Sequence, residues 1–238
     1  MIRTLVIIPA FNERHSIEQV IHSLDEIRSE QLDVLVVNDC STDETGKLAE
    51  QTGKAVVVNL SSNLGIGGAV QTGFMYARER GYDCAVQFDG DGQHKAAEIP
   101  KLISPVEKGE ADMVIGSRFT EPHDGFRSSS SRRLGIKVFQ LLIRMIIGEK
   151  IADSTSGFRA YNKASIALLA DHYPDDFPEP EAIIILGRNG FRIREVFTEM
   201  QQRQSGLSSI IGIKSIYYMI KVSLSMIISG IRPKIITP

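Results

Sequence analysis

The chain has 238 residues, of which 42% are apolar and 24% charged, with a formal net charge of -2. This is ordinary globular composition, long enough for one large core, and it excludes wholesale disorder. No overall basic field points to nucleic acid, and Cys40 and Cys84 are too few for a disulfide framework or a four-cysteine zinc site.

The opening residues MIRTLVII run straight into Pro9 and Asn12. That apolar run is too short for a signal-peptide core, so the chain is expected in the cytoplasm. Short apolar, β-branched runs follow at Thr4–Ile8, Val34–Val37, Ala55–Val58, Cys84–Phe88 and Met113–Ile115. Helical stretches lie between them, at about His15–Ser29, Asp43–Gln51, Ile66–Glu79 and Ala96–Glu107. This alternation predicts βαβ units on a mostly parallel sheet flanked by helices, and the nearly all-apolar strands fit a sheet covered on both faces. Further on, 119–131 reads as a loop, and Leu134–Ile147 as a helix with Lys137 and Arg144 on one face. Asp153–Tyr161 is a polar cluster, Tyr173–Glu181 a proline-rich acidic loop, and Gly190–Phe197 a late strand.

In such sheets ligands bind beyond the carboxyl ends of the strands. The five strand ends carry Pro9-Ala10-Phe11-Asn12-Glu13, Asn38-Asp39, Asn63 with Gly65, Gly67 and Gly68, Asp89-Gly90-Asp91-Gly92-Gln93-His94, and Gly116-Ser117-Arg118. Asp89 and Asp91, two apart and freed by Gly90, can turn towards one hard cation such as Mg²⁺ or Mn²⁺, with Gln93 adding a neutral oxygen. An Asx-rich turn without metal is the alternative. Asp39 can accept hydrogen bonds from a nucleotide base or ribose, Asp43 reads as a helix cap, and the glycines near Asn63 admit close backbone approach. A lone His94 is more often structural than catalytic. No dinucleotide fingerprint or P-loop string occurs.

Taken together, VIIPAFNE, VVNDCSTDET, NLGIGGAVQTG, FDGDGQH, GSRF and DSTSGFRAY resemble, in order, the motifs of inverting family-2 glycosyltransferases. The likeness is greatest to the dolichol-phosphate mannose synthase branch with its bacterial polyprenyl-phosphate relatives. The resemblance implies a GT-A fold, a nucleotide-diphosphate sugar donor (a UDP-sugar favoured over GDP-mannose), a polyprenyl phosphate acceptor and a divalent metal; a saccharide hydroxyl acceptor and a catalytically silent nucleotide-sugar-binding module are the alternatives. By position it implies nucleotide-sugar binding at Pro9, Ala10, Asn12, Glu13, Asp39, Asn63, Gly68, Asp89 and Gly90, and metal binding at Asp89, Asp91 and Gln93. It implies catalytic roles for Asp91, Arg118 and Asp153, Asp153 being either a base or an orienting group. Ser156, Gly157 and Arg159, with Arg203 of a later stretch, match acceptor-side motifs, and Arg132 and Arg133, just before the Leu134 helix, are placed either to meet a lipid phosphate or to pair with the acids of the preceding loop. Asn38 departs from the pattern, because many members carry a second Asp there.

Charge is uneven along the chain: -8 over 1–117, +4 over 118–150, -3 over 151–200, and five basic residues with no acid over 201–238. Two basic zones in a mildly acidic chain point to anionic partners at particular places. As a helix, the tail lines up Lys214, Tyr218, Lys221, Ser225 and Arg232 on one stripe. Spanning a bilayer would place Lys221 deep inside at a cost of about 2.5–3.5 kcal/mol, and lying in the interface avoids this. The expected division is a transferase domain at 1–206 and an amphipathic tail at 207–238. The tail is read as meeting the inner face of the membrane, a second copy of the chain, a small membrane partner or the chain's own core.

Overall fold

The computed structural model describes residues 2–120, 130–200 and 213–235, the side chains of 130–134 and 213–216 excepted. In chain order the elements are β1 (Thr4–Ala10), α1 (Ile17–Ser23), β2 (Leu32–Asn38), α2 (Thr45–Gln51), β3 (Val56–Asn59), α3 (Gly65–Glu79), β4 (Cys84–Gln87) and α4 (Ile99–Glu107). They continue with β5 (Met113–Ser117), α5 (Ser130–Ile147), β6 (Arg159–Asn162), α6 (Lys163–His172), α7 (Pro178–Arg188), β7 (Ile193–Phe197) and α8 (Ile213–Ile231). The seven strands form one sheet in the order β3-β2-β1-β4-β6-β5-β7, and only β6 runs antiparallel to its neighbours.

The strands are apolar throughout because both faces are covered. Within β1 and β2 alternate residues divide between two cores, as the two-residue period of a strand requires. Leu5, Ile7, Leu35 and Val37 pack with α3 and α5–α8, whereas Val6, Ile8, Val34 and Val36 pack with α1, α2 and α4. The first, larger cluster takes in Phe139 and Ile143 of α5 and Val222 and Met226 of α8.

The expected strands of the first half and the late strand are present. The expected helix over His15–Ser29 is shorter: α1 ends at Ser23 and a 3₁₀ turn finishes it. Two expectations in the second half are corrected. The cluster Asp153–Tyr161 ends in β6, whose Tyr161 pairs with Ala85 and Ala160 with Val114. A strand four residues long that begins with arginine gives no periodic signal. The stretch Tyr173–Glu181 is not loop throughout, since α7 begins at Pro178. Proline is suited to the first turn of a helix, where its missing N–H would have no partner.

Tail helix α8 packs on α5 and α7 with an unusual polarity. Two of its serines point inward: the Ser225 and Ser229 hydroxyls donate to the buried Glu181 carboxylate of α7 at 2.5 and 2.6 Å. Its apolar residues Tyr217, Ile220, Leu224, Ile227, Ile228 and Ile231 are exposed, as are Val138, Leu141 and Met145 of the adjoining α5. Among the described residues no helix is long and apolar enough to cross a membrane.

Candidate active site

The carboxyl ends of β1, β2 and β4 open into a cavity of about 400 Å³ lined by Pro9, Ala10, Phe11, Glu13, Asp39, Asn63, Gly65, Ile66, Ala69, Asp89, Gly90, Asp91 and Glu179. A cavity of about 450 Å³ between α7, α8 and the turn after α6 is not reached by the strand ends.

Register sets the cavity floor. Because β1 pairs with β2 and β4 in parallel, Ala10, Asp39 and Asp89 emerge side by side. Asp39 is buried, and its two oxygens accept the Leu64 and Gly65 amides at 2.7 and 2.9 Å. Those amides open α3, where a helix leaves N–H groups without internal partners and carries partial positive charge. Asp39 therefore fixes α3 against the β2 end as well as lining the cavity. The loops after β1 and β2 are tied together, since the Asn12 side-chain oxygen accepts the Thr42 amide at 2.9 Å and the Glu13 amide donates to the Thr45 hydroxyl at 2.8 Å. Asn12 and Cys40 both hold φ of 57° there. Asp43 accepts the Thr45 amide at 2.9 Å at the head of α2, the capping role read from sequence. Asn38 is spent inside the sheet, donating to Asn59 at 2.8 Å.

At the end of β4 the Gln93 amide donates to Asp91 at 3.0 Å, closing a tight turn. His94 lies 2.9 Å from one oxygen of Asp89 and stacks on Phe158, with ring centroids 4.8 Å apart. It is buried, and it acts as a support for Asp89. Burial alone would push the Asp89 carboxyl up, but the His94 hydrogen bond and the charges of His94, Arg159 and Arg118 hold it below its ordinary value of 3.8. Gly157 sits directly against it. A Cβ there would lie 2.8 Å from one Asp89 oxygen and 2.9 Å from the other. Among the described residues no group of three or more His, Cys, Asp or Glu is arranged to hold a metal ion. The two carboxylates do fit a hard cation that completes its shell with substrate phosphate and water. Asp89 stays ionised, and Gly157 keeps side-chain bulk off it.

The ends of β5 and β6 carry a second assembly. Arg118 grips Asp153 with two bonds of 2.7 Å, and its own amide adds a third at 3.1 Å. Asp153 is 1% exposed. Both oxygens are therefore engaged, and Asp153 stands as the orienting partner of Arg118 rather than as a free base. The Ala152 and Asp153 amides are held in turn by Glu195 of β7 at 2.7 and 2.8 Å.

Several sequence-derived assignments are corrected. Arg159 is fully buried, and its guanidinium donates to the carbonyls of Ser156, Glu179 and Ser154 at 2.6, 2.7 and 2.9 Å. It braces the Ser154–Ser156 turn and is not exposed to meet a ligand. Ser156 is buried as well, with its hydroxyl accepting the Phe158 amide. Gly68 faces Leu64 rather than the cavity, and Gly67 lacks a side chain because the Pro174 carbonyl lies 2.3 Å from where a Cβ would be. Asn12 is occupied with Thr42, and Gln93 contributes its main chain to the Asp91 turn. Arg132 and Arg133 fall on the first turn of α5, and their side chains, like Arg203 altogether, lie outside the described residues.

Sequence reasoning misses Glu195 and Glu179. Glu179 stands in Phe-Pro-Glu-Pro, which reads as loop, and a proline-started helix is the signal that would bring it to the cavity.

A family model described as "Glycosyl transferase family 2" matches residues 5–169. Among similar proteins, a UDP-N-acetylglucosamine–dolichyl-phosphate N-acetylglucosaminyltransferase of Methanococcus voltae is 28% identical, covering 94% of this chain and 97% of its own. A polyprenol monophosphomannose synthase of Mycolicibacterium smegmatis is 34% identical, covering 93% and 86%. Among solved structures, the glucosyl-3-phosphoglycerate synthase of Mycobacterium tuberculosis in complex with Mn²⁺, UDP and phosphoglyceric acid superposes with a TM-score of 0.71. It covers 98% of this chain and 80% of that one at 19% identity.

Proposed function

The chain belongs to glycosyl transferase family 2 and has the GT-A architecture, and on that premise we propose that it transfers a hexose or N-acetylhexosamine from a nucleotide-diphosphate sugar to a polyprenyl phosphate, with inversion at the anomeric carbon. The observation that carries this reading is the Asp89–Asp91 turn, which opens into the same cavity as Asp39 and the start of α3. Asp39, Pro9 and Ala10 form the nucleotide end. A UDP-sugar is the favoured donor, in line with the Methanococcus relative.

Asp89 and Asp91 would hold Mg²⁺ or Mn²⁺, which would supply Lewis-acid charge to the departing diphosphate. Arg118, held in place by Asp153, adds a fixed positive group for the same developing charge. An oxygen of the acceptor phosphate attacks the anomeric carbon as the bond from that carbon to the diphosphate oxygen breaks. A phosphate monoester has its second pKa near 6 and is mostly dianionic at neutral pH. No free base is then needed, which agrees with an Asp153 whose oxygens are both engaged. Arg132, Arg133 and Arg203 are proposed for the lipid phosphate.

Such an acceptor is met at the bilayer, so the enzyme is read as peripheral to its inner, cytoplasmic face. The exposed apolar stripe of α5 and α8 supports this, as does the absence of any acid over 201–238. Each basic group near an anionic surface contributes about 1 kcal/mol. Removing α8 would strip Val222 and Met226 from the core, so the cleaner test is Ile220→Lys with Leu224→Lys.

Incubating the protein with UDP-GlcNAc, UDP-glucose or GDP-mannose and undecaprenyl phosphate in anionic liposomes, with and without EDTA, tests the whole reading. The expected result is EDTA-sensitive transfer to the lipid and liposome binding that the double lysine variant loses. Transfer to a soluble saccharide alone would make the acceptor a hydroxyl instead.

A further inference from the structure

Five acids line the cavity, and four are held by neighbours. Glu13 accepts the Ser16 hydroxyl at 2.9 Å, Asp39 the two α3 amides, Asp89 bonds His94, and Asp91 accepts the Gln93 amide. Glu179 is different. Among the described residues, no other residue's side chain or amide donates to its carboxyl; its own amide is its only hydrogen-bond donor. Burial, with the charge of Asp89 adding to it, raises the carboxyl from its ordinary value of 4.5 in spite of the opposing Arg159 charge. The half-buried carboxyl lines the cavity, so a ligand there can supply the donor that the described residues do not.

Its position says which part of a ligand would supply that donor. Along the sheet edge the order runs β2, β1, β4, β6. Asp39 follows β2, Pro9 and Ala10 end β1, Asp89 follows β4, and Arg159 opens β6 with its guanidinium on the Glu179 carbonyl at 2.7 Å. If the nucleotide lies over β2 and β1 and the diphosphate over Asp89, the next group in the donor is the sugar, and the next acid along the edge is Glu179. Its mount is rigid, because Arg159 ties the α7 start to two further carbonyls of the Ser154–Ser156 turn.

We propose that Glu179 determines sugar specificity, its carboxyl sharing a hydrogen bond with a ring hydroxyl of the hexose being transferred. This rests on the reading of the cavity as the nucleotide-sugar site. A group that must hydrogen-bond one hydroxyl discriminates strongly against the sugar in which that hydroxyl is turned away.

The test uses the full chain with Glu179→Gln and Glu179→Ala, each checked for an unchanged melting transition. Binding of UDP and GDP with Mn²⁺ is measured by calorimetry. Turnover is compared within epimer pairs: UDP-GlcNAc against UDP-GalNAc, and GDP-mannose against GDP-glucose. For Glu179→Ala the expected result is unchanged nucleotide affinity with a loss of roughly 10- to 100-fold in kcat/KM for the preferred epimer. The poorer epimer changes little, so the ratio collapses. Glu179→Gln, which keeps hydrogen-bonding atoms, restores part of the ratio. Unchanged epimer ratios with nucleotide binding intact would overturn the proposal while leaving the donor site standing. No nucleotide or nucleotide sugar binding to the unaltered protein would overturn the donor site and the proposal with it.

Discussion

The two halves of the sheet edge are built differently. On the β1–β2–β4 side, the acids that line the cavity sit at the ends of parallel strands and are held by backbone amides and short loops; Asp39 on the α3 amides and Asp91 on the Gln93 amide are examples. On the β5–β6–β7 side, the key groups are ion pairs and buried cations that hold one another, with Arg118 on Asp153, Glu195 on the Asp153 amide and Arg159 on three carbonyls. In the first half, chemistry is set by local backbone geometry. In the second, it depends also on distant residues meeting correctly, Arg118 and Asp153 being 35 apart in sequence, Asp153 and Glu195 42, and Arg159 and Glu179 20.

That contrast can be broken from either side, and the largest effect belongs to the first. Asp91→Asn leaves the turn its shape and removes one charge, so transfer should fall about 10³-fold, roughly 4 kcal/mol of barrier, with little change in melting temperature. Near-normal turnover of this variant in EDTA would remove the metal from the scheme. On the other side the same kind of deletion should act on the fold. Asp153→Ala takes the paired carboxylate from a largely buried Arg118 and should cost about 3–5 kcal/mol of stability by denaturant titration. A loss under about 1 kcal/mol, the range of an exposed pair, would mean the loop finds another anchor.

Asp39→Ala sharpens the comparison, because Asp39 serves both ends. Losing the α3 cap should cost about 1–2 kcal/mol of stability, and UDP affinity measured by calorimetry should fall as well. Unchanged affinity would leave Asp39 a cap alone. The smallest effect is expected at Asp112, held below its ordinary 3.8 by hydrogen bonds from Arg192, with burial opposing. A lowered folded-state pKa stabilises the protein above the unfolded value, and that stability is lost as pH falls through the folded value. Wild type and Asp112→Asn should thus differ at about pH 6, and their unfolding curves should converge as pH drops below about 4. A gap that stays constant down to about pH 2 would contradict this sign.

The same contrast explains how much is legible in the sequence. Parallel strands announce themselves as apolar runs, and the residues just after each run lie at the ligand edge; hence Asp39, Asp89, Asp91 and Arg118 can be read from order alone. Asp43 as a cap and His94 as a support are legible too. The second half hides its logic. Arg159 looks like an exposed ligand-binding cation, yet it is fully buried, because three carbonyls converge on it from the Ser154–Ser156 turn and the start of α7. Glu179 and Glu195 matter only through partners that sequence spacing does not bring together.

One contact reaches beyond the cleft. Glu181 takes the hydroxyls of Ser225 and Ser229, and it lies two residues from Glu179 on the same helix. The tail is consequently not an interchangeable module. A chimaera that grafts a different segment after residue 212 must bring hydroxyl donors at the same four-residue spacing, or it strands a buried carboxylate, which costs about 1–3 kcal/mol or more for a charged group. The outward apolar residues of α8 carry no such requirement. Lineages could therefore exchange that outer surface freely while the inner serines stay with the fold.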